Sequence, residues 1–519
     1  MATDVTADAT PAPVPEELPI PMMILAGFVL AMANFMAVLD TSIANVALPH
    51  IAGSLAASPK EGTSVITFFA VAEAITIPLT GWLSQRFGTV RVFLFSMAAF
   101  GITSALCGFA PTLPMLIVFR VLQGLSAGPM MPLSQALMNQ IVPRRHYPMA
   151  MGLWTMTVII APIIGPMLGG GIADSIGWEW AFFINVPVAV FAVFFGLRLL
   201  SPFETKTVKK PIDFMGLALL ITWVSALQMM LDFGDQYDWF SSPMILSLLA
   251  VAIIGFVVFI VWELTEEHPI VDLRIFANRG FATATTVVSL TFGIFFSSTI
   301  LIPLWLQTNL GYTATAAGNL TAFNGVLGLV VSPFVARLMT RVDPRALATV
   351  GLVGLASVFG SRMFFTGDMS FAQMVPVQLA QGAFMPLFFI PLMTVALSGI
   401  PIKDIANASG LLTFARILAG AVAGSLVTTA WTNEAVHMRG EIVSGMQNGA
   451  QTLGTMQSLG MSAVQAAARL DGIVQGQAVM LATNRMFAIV APAILLSIVV
   501  VWLSPKVKPG STPGRPGGH

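Results

Sequence analysis

Fourteen stretches of about twenty mostly apolar residues recur along the chain, each long enough to cross the hydrocarbon core of a bilayer. They lie near 20–48, 62–84, 89–109, 113–138, 147–172, 180–200, 213–232, 241–263, 280–307, 314–339, 345–365, 371–396, 404–431 and 478–503. In hydrocarbon every backbone N–H and C=O must be satisfied within its own segment, so such stretches are read as helices. Lys, Arg, Asp and Glu make up only 9% of the 519 residues, against about 25% in a soluble domain. A soluble chain of this length could not cover its surface with so few charges. Composition therefore excludes a cytosolic enzyme, a nucleic-acid binder and a disordered scaffold. It predicts an all-α integral membrane protein.

The basic residues orient the spans. With the N-terminus inside, 17 of the 24 Lys and Arg fall on the cytoplasmic side. Five fall outside: Lys60, Arg362, Arg439, Arg469 and Arg485. This asymmetry is that of the positive-inside rule. Arg362 and Arg485 lie at outer span ends, where they are expected to snorkel outward. Residues 1–18 carry no Lys or Arg, so no signal peptide is expected.

An internal repeat divides the spans. Gly152, Leu153, Thr155, Ile159 and Ala161 match Gly410, Leu411, Thr413, Ile417 and Ala419, all at an offset of 258. Gln123-Gly124 matches Gln381-Gly382 at the same offset. The expected organisation is a cytoplasmic tail (1–19), a six-helix half (20–200), linkers with two inserted helices (201–279), a second six-helix half (280–503) and a second cytoplasmic tail (504–519). An extramembrane segment, 432–477, is expected to form short amphipathic helices. Parallel six-span repeats of this kind build transporters, with the substrate site between the halves.

Ionisable groups inside spans mark function by default, because each is costly there. Asp40 sits roughly 14 Å below the outer end of span 1, and Arg120 roughly 10 Å inside span 4, at 1.5 Å per residue. Those depths put the two at one level, where each offsets the other's desolvation. A carboxylate balanced between burial, which favours its protonated form, and an arginine, which opposes it, can exchange a proton near neutral pH. Asp40 is thus a proton-coupling candidate, with a static ion pair as the alternative. Glu73 lies mid-span and suits either a proton or a cationic substrate. Arg416, also mid-span, suits an anionic one. No metal site is expected: there is a single cysteine, Cys107, and the five histidines lie at span ends, loops or the tail. No mid-membrane nucleophile–base pair points to an enzyme, and no Gly-Lys pair exists to form a phosphate-binding loop.

Several motifs are specific. Leu39-Asp40-Thr41-Ser42-Ile43-Ala44-Asn45-Val46-Ala47-Leu48-Pro49 resembles the span 1 signature of the fourteen-span drug:proton antiporters of the major facilitator superfamily. Gly81-Trp82-Leu83-Ser84-Gln85-Arg86-Phe87-Gly88-Thr89-Val90-Arg91 resembles that superfamily's motif A, and Arg120-Val121-Leu122-Gln123-Gly124 its motif B. Ala161 to Gly170, with Pro162, Gly165, Pro166, Gly169 and Gly170, resembles motif C, the antiporter motif. Trp178 to Pro187 is similar to the same family.

The resemblance implies the major facilitator fold, with two six-helix halves and two inserted helices. It implies proton-driven export of lipophilic toxic compounds, with the proton gradient as energy source and no cofactor. Asp40, Glu73 and Arg120 are the implied coupling residues, and Glu73, Gln123, Gln381 and Arg416 the candidate substrate contacts. Gly81, Arg86, Gly88 and Arg91 would form a cytoplasmic gate, and the motif C residues would bend span 5. It further implies a bacterial inner-membrane location and service as the pump of a tripartite system, with a periplasmic adaptor and an outer-membrane channel. An exporter of one metabolite on the same scaffold is the alternative. One departure stands out. Motif A usually carries an acid where this chain has Gln85, which can hydrogen-bond but not make a charged latch. The gate is expected to be held differently.

Overall fold

The computed structural model describes residues 19–506, except 58–61, 63, 144–145, 147–148, scattered positions between 152 and 174, 209–210, 235–236, 313, 402–403 and 447–448. The helices are α1 Ile20–Ser54, α2 Ser64–Phe87, α3 Thr89–Gly108, α4 Leu113–Ala127, α5 Met130–Ile141 and α6 Asn185–Leu199. There follow α7 Phe214–Phe233, α8 Pro243–Thr265, α9 Arg279–Asn309, α10 Ala314–Leu338, α11 Pro344–Ser361 and α12 Phe371–Leu397. The last three are α13 Ile405–Gly445, α14 Gly449–Ser458 and α15 Ala463–Leu503. Among the described residues, 13 helices or helix pairs are long and apolar enough to cross a membrane. Half of the expected fifth span, 147–172, lies outside the described residues, including Pro162, Pro166 and Gly170 of motif C.

Helix starts are chemically marked. Asp213, Asn278 and Asp343 each accept a backbone N–H at the head of α7, α9 and α11. Ser370 with Gln373 and Ser462 with Gln465 form capping boxes at the heads of α12 and α15. The fourth span is two helices. It breaks between Ala127 and Met130, where Gly128 lies against Thr76 and the Glu73 carbonyl of α2.

The two halves meet along the start of α13. Residues 405–413 are buried throughout, packed on α2 and α5. A Cβ on Gly81 would lie 2.6 Å from that of Asn407, so the two helices cross in contact there. The bundle is thus closed at the end assigned to the cytoplasm by the charge count. The inserted α7 bridges both halves. It packs on α2, while Ser425 of α13 donates to the Leu231 carbonyl at 3.1 Å and Trp223 meets Phe414.

The segment 432–477 departs from expectation. Rather than short separate helices, α13 and α15 each continue for 41 residues, with only the ten-residue α14 between them. At 1.5 Å per residue each is about 60 Å long, twice the hydrocarbon thickness. No proline interrupts either extension. Trp431–Thr483, Arg485–Glu434 and Arg439–Asp471 contacts tie the two together.

The closed end can be trapped. A Cβ on Gly410 would stand 3.6 Å from that of Thr80, within the range a disulfide bridges. Thr80→Cys with Gly410→Cys, in a Cys107→Ser background, is expected to cross-link under mild oxidation. The check is two fragments that stay joined on a non-reducing gel after cleavage in the 204–210 linker.

Candidate functional site

Asp40 of α1 is the centre of a fully buried polar cluster. Arg120 of α4 donates to one carboxylate oxygen at 2.5 Å, and both side chains are sealed from solvent. Gln123, one turn further along α4, donates to the other oxygen at 2.9 Å. Asn185, at the head of α6, donates to that same oxygen at 2.8 Å and also to Ser104 of α3. Arg120 donates as well to Gln123 Oε1 and to the Val65 carbonyl of α2. Phe69 and Phe182 lie 4.0 and 5.5 Å from its guanidinium carbon. The i, i+3 spacing of Arg120 and Gln123 puts both on one face of α4, as the motif requires. Gly124 lets α2 approach that helix closely: a Cβ there would strike the Phe69 carbonyl.

Asp40, Arg120 and Gln123 are therefore brought together as one unit. Gln123 was expected to contact substrate; the structure seats it on Asp40 instead, with no solvent exposure. Asn185 was not singled out from sequence, although its surrounding motif was.

Glu73 and Arg416 occupy a different place. Glu73 is half-buried on α2 and makes no ion pair among the described residues; the charges acting on it are Arg120, Asp40 and Arg416. Arg416 of α13 is buried, its Nη2 against the Met131 sulfur of α5. The Phe292 and Phe389 rings flank it at 4.9 and 5.6 Å. Its Nε and Nη1 have no acceptor among the described residues. Glu73 and Met131 come from one half of the bundle and Arg416 from the other, so these groups face each other across the seam.

Gln381 is not part of that seam. It lies within the second half and accepts from Arg362. Arg362 itself corrects an expectation: it does not snorkel outward. It is 0% exposed and donates inward to Ser298 and Gln378 as well. The end of α11 turns into the bundle there, and three neutral acceptors hold the cation. Arg485, by contrast, reaches Glu434 on the exposed face.

The motif A turn shows how the neutral Gln85 is accommodated. The acid comes from the linker. Glu204 accepts the backbone N–H of Val90 and of Arg91, capping α3 from outside. The Arg91 side chain, largely exposed, stands 3.8 Å from the same carboxylate. The Gln85 carbonyl accepts from the Val208 N–H of the same linker. Gly88 starts α3 at φ +97°, and a Cβ there would meet Glu204 at 2.5 Å. Of the motif C residues described, a Cβ on Gly165 would strike Ser42 and one on Gly169 would stand 3.2 Å from Ile43, so this strip packs directly on α1 just beyond Asp40.

The family model described as Major Facilitator Superfamily matches residues 30–424. The chain is 42% identical over 502 residues to the multidrug export protein EmrB of Escherichia coli strain K12, covering 96% of this chain and 98% of that one. It is 40% identical to the fatty acid resistance protein FarB of Neisseria gonorrhoeae, over 94% and 97% of the two chains. Among solved structures it shares the fold of the proton:xylose symporter XylE, with a TM-score of 0.56 at 14% identity over 95% and 98% of the chains. The human organic anion transporter MFSD10 matches likewise, with a TM-score of 0.59 at 13% identity over 93% and 100%. The family model and these relatives are those of a multi-pass membrane transporter. The chain belongs to the major facilitator superfamily and, within it, to the EmrB-like transporters.

Two outcomes follow from this geometry. Arg120→Met leaves the Asp40 carboxylate buried without its cation, and Asp40→Asn leaves Arg120 unpaired; each is expected to cost about 3–5 kcal/mol. The double variant is expected to recover much of that loss, as read from thermal unfolding of the detergent-purified protein. Gly88→Ala forces a side chain into a glycine-only conformation and against Glu204. Its expected cost is about 1–3 kcal/mol, and Glu204→Gln should weaken the same turn less, since its amide retains one acceptor for the helix.

Proposed function

We propose that the chain is a proton-coupled exporter of lipophilic toxic compounds, working by alternating access in the bacterial inner membrane with both termini in the cytoplasm. The observation that carries this reading is the buried Asp40–Arg120 pair bridged by Gln123 and Asn185. Protonating Asp40 removes the charge that holds Arg120 and turns the carboxyl into a hydrogen-bond donor. The cluster must then rearrange, and α1, α4 and α6 with it. Because motif C packs on α1 at Ser42 and Ile43, a shift of α1 is passed to the fifth span. The cytoplasmic end is closed where Gly81 meets Asn407, so the coupled motion has to open that contact for substrate to enter.

The cargo sits at the seam. Arg416 supplies a buried cation with two vacant donors between two phenylalanine rings, beside a deformable methionine. That combination suits the carboxylate or other anionic end of a lipophilic weak acid. The names of two relatives, a multidrug exporter and a fatty acid resistance protein, agree with such cargo. Glu73, from the opposite half, disfavours a second negative charge and so limits cargo to single anions. Service as the pump of a tripartite system, with an adaptor and an outer-membrane channel, belongs to the same reading. The paired extensions of α13 and α15 are the surface it assigns to that assembly.

The test is transport in proteoliposomes under an imposed pH gradient. Wild type is expected to move a lipophilic weak acid, and Asp40→Asn to bind it but lose gradient-driven transport at least tenfold. Equal transport by both would move the coupling role to Glu73. Arg416→Gln is expected to lower transport of the weak acid about tenfold while a neutral lipophilic dye still moves. A single transported metabolite across a broad panel would favour the narrower exporter.

A further inference from the structure

Among the described residues three arginines are fully buried in the bundle, and each is flanked by two phenylalanine rings. Arg120 has Phe69 and Phe182, Arg416 has Phe292 and Phe389, and Arg362 has Phe359 and Phe487 at 5.1 and 5.3 Å. Arg120 is paired with a carboxylate, and Arg416 faces the seam. Arg362 lies inside the second half and has neither. Its partners are the Ser298 hydroxyl at 3.2 Å, Gln378 at 2.8 Å and Gln381.

The repeat offset of 258 explains the pattern. It carries Asp40 onto Ser298, Arg120 onto Gln378 and Gln123 onto Gln381. The cluster around Arg362 is the counterpart of the Asp40 cluster, with two changes. The arginine has moved from the α4 position to the end of α11, the counterpart of α3. The carboxylate has become a hydroxyl. A buried cation has therefore been kept while its counter-charge has been removed.

Desolvating an unpaired cation is costly, and neutral acceptors with ring faces offset only part of the cost. Two donors in the cluster, Arg362 Nε and Gln381 Nε2, have no acceptor among the described residues. The site lacks the negative charge that its counterpart obtains from Asp40, and among the described residues it leaves two nitrogens without acceptors where the counterpart's arginine and glutamine leave one, Arg120 Nη2. From this we infer that the Arg362 cluster binds a small monovalent anion. The chemistry is that of a halide or a carboxylate, held by the guanidinium and the Gln381 amide where the first half uses Asp40. It is a site distinct from the seam at Arg416 and does not depend on the cargo assigned there.

The experiment uses the purified full-length protein in detergent and follows thermal unfolding by tryptophan fluorescence at constant ionic strength. Sodium gluconate, whose anion is too bulky for the cluster, is replaced stepwise by chloride, by formate or by octanoate. Wild type is expected to gain a saturable rise in midpoint of about 2 °C or more with chloride or formate. Ser298→Asp supplies an internal carboxylate in the position of Asp40, and its midpoint is expected to become insensitive to the anion. Arg362→Gln should lose the response as well. A response to octanoate at far lower concentration than formate would identify the carboxylate end of a lipophilic molecule as the ligand, and equal response to chloride and formate a free small anion. If wild type unfolds identically in gluconate, chloride and formate, the inference falls. It falls equally if Ser298→Asp responds as wild type does, because the anion then acts elsewhere.

Discussion

A guanidinium ion buried in a low-dielectric bundle must find compensating charge and acceptors, and among the three buried arginines described only Arg120, through Asp40, finds a carboxylate as well as neutral acceptors. Five elements converge there. α1 supplies the carboxylate, α4 the cation and its amide neighbour, α2 a carbonyl and a ring, α6 an asparagine, and α3 the serine that orients it. Replacing such a pair by apolar groups is often neutral or stabilising in soluble proteins. Keeping the pair makes each partner depend on the other, because removing one leaves a buried charge uncompensated. The helix crossings around it, at Gly124 and at the motif C glycines, are tight because the polar atoms have to meet.

The two halves use one scaffold for different electrostatic ends. In the first, cation and anion share a site. In the second, the aspartate position holds a hydroxyl and the arginine enters from another helix. The repeat thus holds a matched pair of polar clusters with unmatched charge. The mid-bundle seam adds Arg416 and Glu73 from opposite halves, so the three buried arginines have three separate surroundings.

Much of this was legible in the chain. Apolar runs predicted the spans, and depth along each run put Asp40 and Arg120 at one level. The Gln123–Gln381 match pointed to the repeat. What remained hidden is instructive. Arg362 reads as an outer-end charge because span position reports depth but not the rotation of a helix about its axis, and it is rotation that turns this side chain inward. Gln381 reads as a substrate contact for the same reason. Glu204 falls within the 201–279 linker region; its role as the cap of α3 depends on a tertiary approach that only the folded chain displays. The long extensions of α13 and α15 read from sequence as short helices because a Gln-, Ala- and Gly-rich composition marks a departure from the membrane without marking an end to the helix.

Those extensions make α13 a rigid rod running from the closed seam, at residues 405–413, to a tip at Gly445. The distance from Thr413 to that tip is about 48 Å at 1.5 Å per residue. A tilt of about 10° at the seam would sweep the tip through about 8 Å by that same geometry. The rod thereby amplifies a motion of a few ångströms among membrane-buried side chains into one large enough to reposition whatever surface meets its far end.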